Sequence, residues 1–453
     1  MGYFLYTCIL LLPVVIVLGN TDSELLCHGD NCTKTSIDNF PDPRANMLNA
    51  RLYSCDNIGI LKRSPNLISA MIDNCNTDYI DMADFSSLTK LTCLILQRGK
   101  LTELGDEQFS KMPTLKTLEL RNNSIVRISV GAFKGIPEVW RLDMQHNEIV
   151  SLPTSVFHPL QNLIDLNLRG NKIVKLQYEI FDQNPHLLWL SLQDNPLTNV
   201  LSISLKHLVR LNLINCGPLK ELHMESAETV NLRDTWIRRL DIDGGVNSLF
   251  LRKNRLEHIQ IEDKLAVTLM DLNDNLLRTE DLQNILMGMW RLQFLDLSCN
   301  LISELPVPKR DNSSEVFLLP SLQFLNLSFN MLEYLHGDSP LISPGLRKLD
   351  LSHNSIRIID PHIFRTVNNL QSLHIEWNSI RNFRYDRFYS QHRGLKELAL
   401  YANVFSNKTY SIITKFFKDA GVKVIEKIYD SRVLPESESF TESEDSTEVS
   451  LQL

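Results

Sequence analysis

The sequence predicts an α/β solenoid of about fifteen short coils, stacked into a horseshoe with a parallel β-sheet on its concave side. Three observations predict it. A pattern of leucines closed by an asparagine recurs along most of the 453 residues. Five consecutive spacings of that pattern are 24 residues long, and a ladder of phenylalanines keeps the same step. A chain of this length would ordinarily divide into two or three globular domains. A stack of coils escapes that limit because it grows one unit at a time.

The pattern is clearest at Leu115-Lys-Thr-Leu118-Glu-Leu120-Arg-Asn-Asn123, and it returns at Leu163 to Asn171, Leu292 to Asn300 and Leu346 to Asn354. Aligned on the asparagine, the copies end at residues 75, 99, 123, 147, 171, 195, 216, 235, 254, 275, 300, 330, 354, 378 and 403. The position holds asparagine except at Cys75, Gly99, Cys216 and Thr235. Leucines alternating with period two describe a short strand with one buried face. One coil cannot bury that face alone, but stacked neighbours share a continuous core. The asparagine supplies both donors and an acceptor to backbone groups that the stack hides from water. Thr or Cys does this less fully, and Gly not at all. Phe85, Phe109, Phe133, Phe157 and Phe181 are expected to fill the convex side of each coil. Between Leu197 and Asn275 the coils shrink to 19–21 residues, too short for a convex helix, so the curvature should change there.

The ends follow from the same logic, because a terminal coil exposes its core unless something covers it. Residues 1–19 read as a secretory leader: Phe4 to Leu18 is apolar but for Tyr6, Thr7 and Pro13, short for a membrane span. No second apolar stretch of membrane length is expected to follow. Residues 20–66 form an N-terminal cap, 67–405 the solenoid, 406–430 a C-terminal cap and 431–453 a disordered tail. That tail carries six acids and one base, which accounts for five of the eight net negative charges. Neither the tail nor the remainder suits bulk nucleic-acid binding. In the C-terminal cap, Tyr410 to Lys418 reads as a helix stopped near Gly421, followed by a strand over 422–425.

Cysteine usage fits an oxidising compartment. Cys27 with Cys32, and Cys55 with Cys75, are reasonable disulfides in the cap. Cys93, Cys216 and Cys299 remain, an odd count that leaves either a buried thiol or a disulfide-linked partner. For Cys216 and Cys299 the expectation is a buried thiol. Cys93 points to the concave face, where either the cap or a partner chain would cover it. Five Asn-x-Ser/Thr sequons, at Asn31, Asn122, Asn312, Asn326 and Asn407, are candidate glycan sites.

Function would sit on the outward residues of the strands. In the coils ending at Asn123 through Asn254 these include Arg121, Arg141, Arg169, Arg210, Arg233 and Arg252 against Glu119, Asp143 and Asp165. In the coils ending at Asn275 through Asn403, Lys348 faces Asp271, Asp296, Asp350, Glu376 and Glu397. The face is two-toned. Its basic half is either a docking surface for an anionic ligand or acidic patch, or a solvated sheet face. Trp189 and Phe250 are lone aromatics within it. Leu269, Phe294 and Phe324 share one outward column on successive coils, and form either an apolar contact patch or a self-shielded cluster. Catalysis has no support: there is no His-x-x-x-His, no Cys-x-x-Cys and no phosphate-cradling glycine loop, and His353 and His374 read as surface residues. No catalytic residue, metal site or cofactor is expected.

The repeat identifies the chain, by resemblance, as an extracellular leucine-rich-repeat protein. It is similar to the secreted leucine-rich-repeat immune proteins of mosquitoes in its leader, its 24-residue coils, its short middle coils, and Asn403-Val-Phe405 followed by Thr414-Lys-Phe-Phe417. Longer members of that family add paired cysteines and a coiled coil, which this sequence lacks, so the resemblance is to the coil-less type. It implies a secreted protein that holds a protein or microbial-surface ligand. The rival expectation is a developmental adhesion or matrix protein of the same fold.

Overall fold

The structure is a computed structural model. It describes residues 49–52, 58, 61, 65–78, 85–203, 205, 207–307 and 318–426, with the backbone alone at three strands between residues 14 and 35 and through most of 199–203. Of the expected leader only the backbone of Val14–Leu18 is described; the rest of it, most of the N-terminal cap, the acidic tail, and the side chains of Cys27, Cys32, Asn31, Cys55 and Asn312 lie outside the described residues.

Each coil contributes one short strand to a continuous parallel sheet. Register is kept by the leucines: Leu118, Leu142, Leu166, Leu190 and Leu211 are direct neighbours on successive strands, as are Leu295, Leu325, Leu349, Leu373 and Leu398. All ten are buried. Behind them Phe109, Phe133, Phe157 and Phe181 stack with ring centroids 6.0–6.4 Å apart. Burying such a ring contributes roughly 1.5–3 kcal/mol, so this column is a large part of what joins coil to coil.

The asparagine column behaves as its chemistry requires. Asn171 is buried; its amide donates to the carbonyls of Met144, Leu168 and Arg169, and its oxygen accepts from Ile149 N–H. Where the column departs from asparagine, neighbours compensate. A Cβ on Gly99 would stand 2.7 Å from Asn123 Oδ1, and Asn123 itself donates to the Leu96 carbonyl. Cys216 Sγ donates to the Leu192 carbonyl, and Thr235 Oγ1 to that of Leu232.

One residue before each of these fifteen positions the backbone turns left-handed, from Asn74 (φ 57°) to Ala402 (φ 53°). Only one of the fifteen is glycine, Gly170. A left-handed turn costs a residue with a side chain about 1–2 kcal/mol. Backbone pairing offsets it: the corner N–H donates to the next coil, as from His146 to the Arg169 carbonyl at 2.7 Å and from Phe329 to Ser352 at 3.1 Å. The corner therefore holds whatever residue the sequence places there, including Phe329, His353 and Trp377.

The short middle coils carry no convex helix. They carry a second parallel sheet instead, of Asn199–Ile203, Leu219–Met224, the first part of Arg239–Phe250, and His258–Asp263. A coil of 19–21 residues has just enough chain for a strand on each side. Longer coils allow helices α1 (Thr279–Leu286) and α2 (Tyr385–Gln391). The far end closes with α3 (Asn407–Asp419), capped by Ser406, whose hydroxyl accepts from Thr409 N–H. Gly421 ends it at φ 82°, and Lys423–Ile425 adds a last strand beside Glu397–Ala399. Phe417 and Ile413 turn inward and cover the final coil.

Cysteine positions divide. Cys75 is disulfide-bonded, its partner being outside the described side chains. Cys93 is buried within its strand and is not open to a partner chain. Cys216 is a buried thiol, pushed up to about 12 chiefly by burial. Cys299 corrects the expectation of burial: it is exposed, because it occupies a left-handed corner rather than an inward strand position. Iodoacetamide applied to the native protein at pH 8.5 should therefore label Cys299 and spare Cys93 and Cys216. Equal labelling of Cys216 before unfolding would contradict this placement.

Candidate functional site

The sheet fixes the outward side chains in rows along the concave face. Thr117, Arg141, Asp165, Trp189 and Arg210 are successive neighbours in one row, and Glu119, Asp143, Asn167 and Ser191 in the next. The sequence placed these residues on one face, and the structure brings them together. It also shows what the arginines do there. Arg141 lies between Glu119 (3.9 Å) and Asp165 (3.6 Å). Arg121 reaches Glu119 (3.5 Å) and donates to Gln97 (2.8 Å). Arg169 pairs with Asp194 (3.1 Å), a corner residue leaning in from the strand end. Arg233 pairs with Asp271 (3.6 Å) and lies 4.6 Å over the Phe250 ring.

These contacts change the picture of an open positive surface. Asp194 and Asp271 were not counted against the arginines in the sequence, and both are engaged by them. The basic half is a half-buried, charge-paired network. Asp143 lies within it at 2% exposure; burial, with Glu119 adding repulsion, raises its carboxyl to about 6 against the pull of Arg141 and Arg121. Asp165 is raised for the same first reason.

In the other half, Leu269, Phe294 and Phe324 do form one column. The two rings stack at 4.2 Å, nearly parallel at 2°, and all three residues are half-buried. Beside them runs a row of carboxylates. Burial raises Asp271, Asp296 and Asp350, and each is raised further by another acid of the face: Asp296 acts on Asp271, Asp350 on Asp296 from two coils away, and Glu376 on Asp350. His374 bridges Glu376 (3.5 Å) and Glu397 (3.2 Å). Its burial disfavours the imidazolium, but the surrounding carboxylates outweigh this and raise it to about 9. His374 is thus a charged part of the face rather than a loose surface histidine.

A third group was missed in the sequence. Phe329, His353 and Trp377 occupy the left-handed corners of three successive coils and stack face to face, with centroids 4.0 and 5.3 Å apart. Phe329 and Trp377 remain 47% and 43% exposed. The signal was legible, one residue before Asn330, Asn354 and Asn378. Strand alternation marks only the strand positions as outward and says nothing of a corner.

Two sequons are displayed: Asn122 and Asn407 are exposed. Asn326 is half-buried and spent, its amide donating to Asp296 (3.1 Å) and its oxygen accepting from Ser328 N–H (3.0 Å). No group of three or more metal-ligating side chains occurs among the described residues. Nor is any described helix long and apolar enough to cross a membrane.

A family profile described as Leucine rich repeat matches residues 89–149, 145–197, 320–380 and 344–405, on both sides of the compressed middle. The chain folds as a leucine-rich-repeat solenoid. This fold is in general a scaffold for protein interaction. Osteomodulin of Rattus norvegicus is 39% identical over 64 residues, 14% of this chain and 15% of that protein. Lumican of Rattus norvegicus is 31% identical over 157 residues, 30% of this chain and 45% of that protein. The chain thus spans less than half the length of these curated relatives. Among solved structures, a leucine-rich-repeat protein of Leptospira interrogans superposes with a TM-score of 0.61 at 22% identity, covering 83% of this chain and 93% of that one. The Toll–Spätzle complex of Drosophila gives 0.62 at 23%, covering 84% and 50%. The mosquito LRIM1/APL1C complex gives 0.56 at 20%, covering 79% and 64%. At these identities the likeness is one of fold.

Proposed function

We propose that this leucine-rich-repeat solenoid is a secreted recognition protein of innate immunity, which holds a protein or microbial-surface ligand on its concave face. The observation that carries the reading is the face itself. It is a rigid sheet, fixed by the asparagine column, that displays charged and aromatic side chains which the core does not require. Carboxylates such as Asp143 and Asp350 are held there against the cost of desolvation. The leader, the coil length and the cap helix support the immune assignment through the family resemblance. Toll and LRIM1, whose solenoids share the fold, are each recorded in complex with another protein. The matches to osteomodulin and lumican favour a second reading, an adhesion or matrix protein.

Capture from body fluid tests the choice. The tagged protein, secreted from cultured cells, is expected to recover a defined protein whose yield rises after microbial challenge. Recovery of matrix components instead would replace the first reading by the second. Replacing Arg141 and Arg210 with glutamate should weaken capture by at least about tenfold if the charge-paired basic half is the contact. Unchanged capture would remove that half from the binding surface.

A further inference from the structure

The acidic half of the concavity has a composition that points to one kind of partner. Its carboxylates are poorly compensated from within. Cations of this chain reach the row at its ends: Arg233 at Asp271, and His374 at Glu376 and Glu397. In the middle, Asp296 holds neutral partners, Ser298 and Asn326, and no ion pair to it is present among the described residues; Asp350 accepts from Ser352 and has the charged His374 as its register neighbour on the next strand. Lys348 stands in the next row, exposed and in register with Phe324. Glu376, 8% exposed, keeps Oε2 buried without a hydrogen-bond donor.

This row runs between two aromatic rails. Phe294 and Phe324 flank it at the beginning of the strands. Phe329, His353 and Trp377 flank it at the corners where the strands end. The second rail is exposed although the fold does not need it there, since the corner accepts Ala402 and Lys253 equally well. Exposed contiguous aromatics mark contact surfaces. Carboxylates beside them select a cation, which gains both charge pairing and the ring faces.

We propose that this strip binds a segment of a partner protein in which arginine or lysine alternates with apolar residues. The cationic heads would meet Asp296, Asp350 and Glu376, and the apolar side chains would lie on the Phe294–Phe324 and Phe329–Trp377 rails. The inference rests on the recognition reading and moves its centre from the arginines to the acidic half.

The test uses the full secreted chain and a short labelled peptide alternating arginine and leucine, followed by fluorescence anisotropy. Two control peptides replace leucine with serine or arginine with glutamate. The arginine–leucine peptide is expected to bind at least about tenfold more tightly than either control. It should lose about tenfold or more in Phe329→Ala/Trp377→Ala, and likewise in Asp296→Asn/Asp350→Asn. The first pair is exposed and the second keeps side-chain shape, so both variants should fold; near-ultraviolet circular dichroism checks this. Equal binding of the serine peptide would overturn the proposal, because charge alone, including that of the acidic tail, would then suffice. Binding unchanged in both double variants would overturn it too. Self-association of the wild type that these variants abolish would replace the partner by a second copy of the chain. If a body-fluid protein is captured and both double variants still capture it, the recognition reading stands and this inference falls.

Discussion

Removing two adjacent rungs of the asparagine column, in Asn147→Ala/Asn171→Ala, is expected to cost more than the sum of the single changes. The reason lies in shared carbonyls. The Met144 carbonyl accepts from both Asn147 and Asn171, each at 3.0 Å. The Leu168 carbonyl accepts from Asn171 (2.8 Å) and Asn195 (3.0 Å). A single Asn171→Ala change therefore leaves both carbonyls with one donor. It fully strands only the Ile149 N–H, which had Asn171 Oδ1 at 3.2 Å. A buried orphan of that kind costs about 1–3 kcal/mol, so the single variant should lose about 2–3 kcal/mol. The double variant strands Ile125 N–H as well and removes both side-chain donors from Met144. A coupling of about 1–2 kcal/mol should appear beyond additivity. Urea unfolding of the four proteins measures it, and additivity within about 0.5 kcal/mol would refute the shared-carbonyl account.

The same redundancy explains why the column tolerates breaks. Where Cys216 and Thr235 adjoin, the Leu213 carbonyl takes the Cys216 backbone N–H at 3.2 Å instead. Asn254 then serves Thr235 from the next coil through Thr235 N–H and Oγ1.

What was legible in the sequence follows from this division of labour. Leucines at period two and an asparagine at fixed step have one cheap solution, so the coils, their strands and the phenylalanine stack could be read directly. The cap helix could be read because Gly421 and the apolar face of Tyr410 to Phe417 are local signals. The convex sheet of the middle coils was missed. Coil length excludes a helix there, but pairing between Leu219–Met224 and Arg239–Phe250 is a contact between coils. The concave columns were placed correctly by residue, yet their charge state was not. A count of Arg and Asp along strand positions omits Asp194, which reaches Arg169 from a corner. Cys299 was misjudged for the same reason, and the aromatic rail overlooked. A corner residue belongs to neither face until the backbone shows where it points.

Acidification from pH 9 to about pH 5.5 is expected to stabilise the protein, which is unusual for a chain with this many acids. Two kinds of group act in the same direction. His374 is raised to about 9 in the folded state. Its contribution is complete below the ordinary histidine value and is lost as pH rises through 9. Asp143 is raised from 3.8 to about 6, and Asp165, Asp271, Asp296 and Asp350 are raised as well. For these the folded state binds more protons than the unfolded chain between the two values, so stability grows as pH falls through that window. Asp73 and Glu397 are lowered, chiefly by the hydrogen bonds from Arg98 and Lys423, and their contribution is lost below the ordinary carboxylate range. The thermal midpoint should therefore peak near the ordinary carboxylate range, at about pH 4, and fall on both sides. The rise of Asp143 corresponds to roughly 3 kcal/mol between its limiting states, of which Asp143→Asn should recover about 1–2 kcal/mol at pH 8. The hydrogen bond from Gln145 N–H would be retained at its oxygen. A midpoint that is flat from pH 5.5 to 9, or a loss of stability in Asp143→Asn at pH 8, would contradict the burial of these charges. If the dependence is found, the concave face is built of groups that oppose folding at neutral pH. Packing does not call for them, which is why binding is the role the face supports.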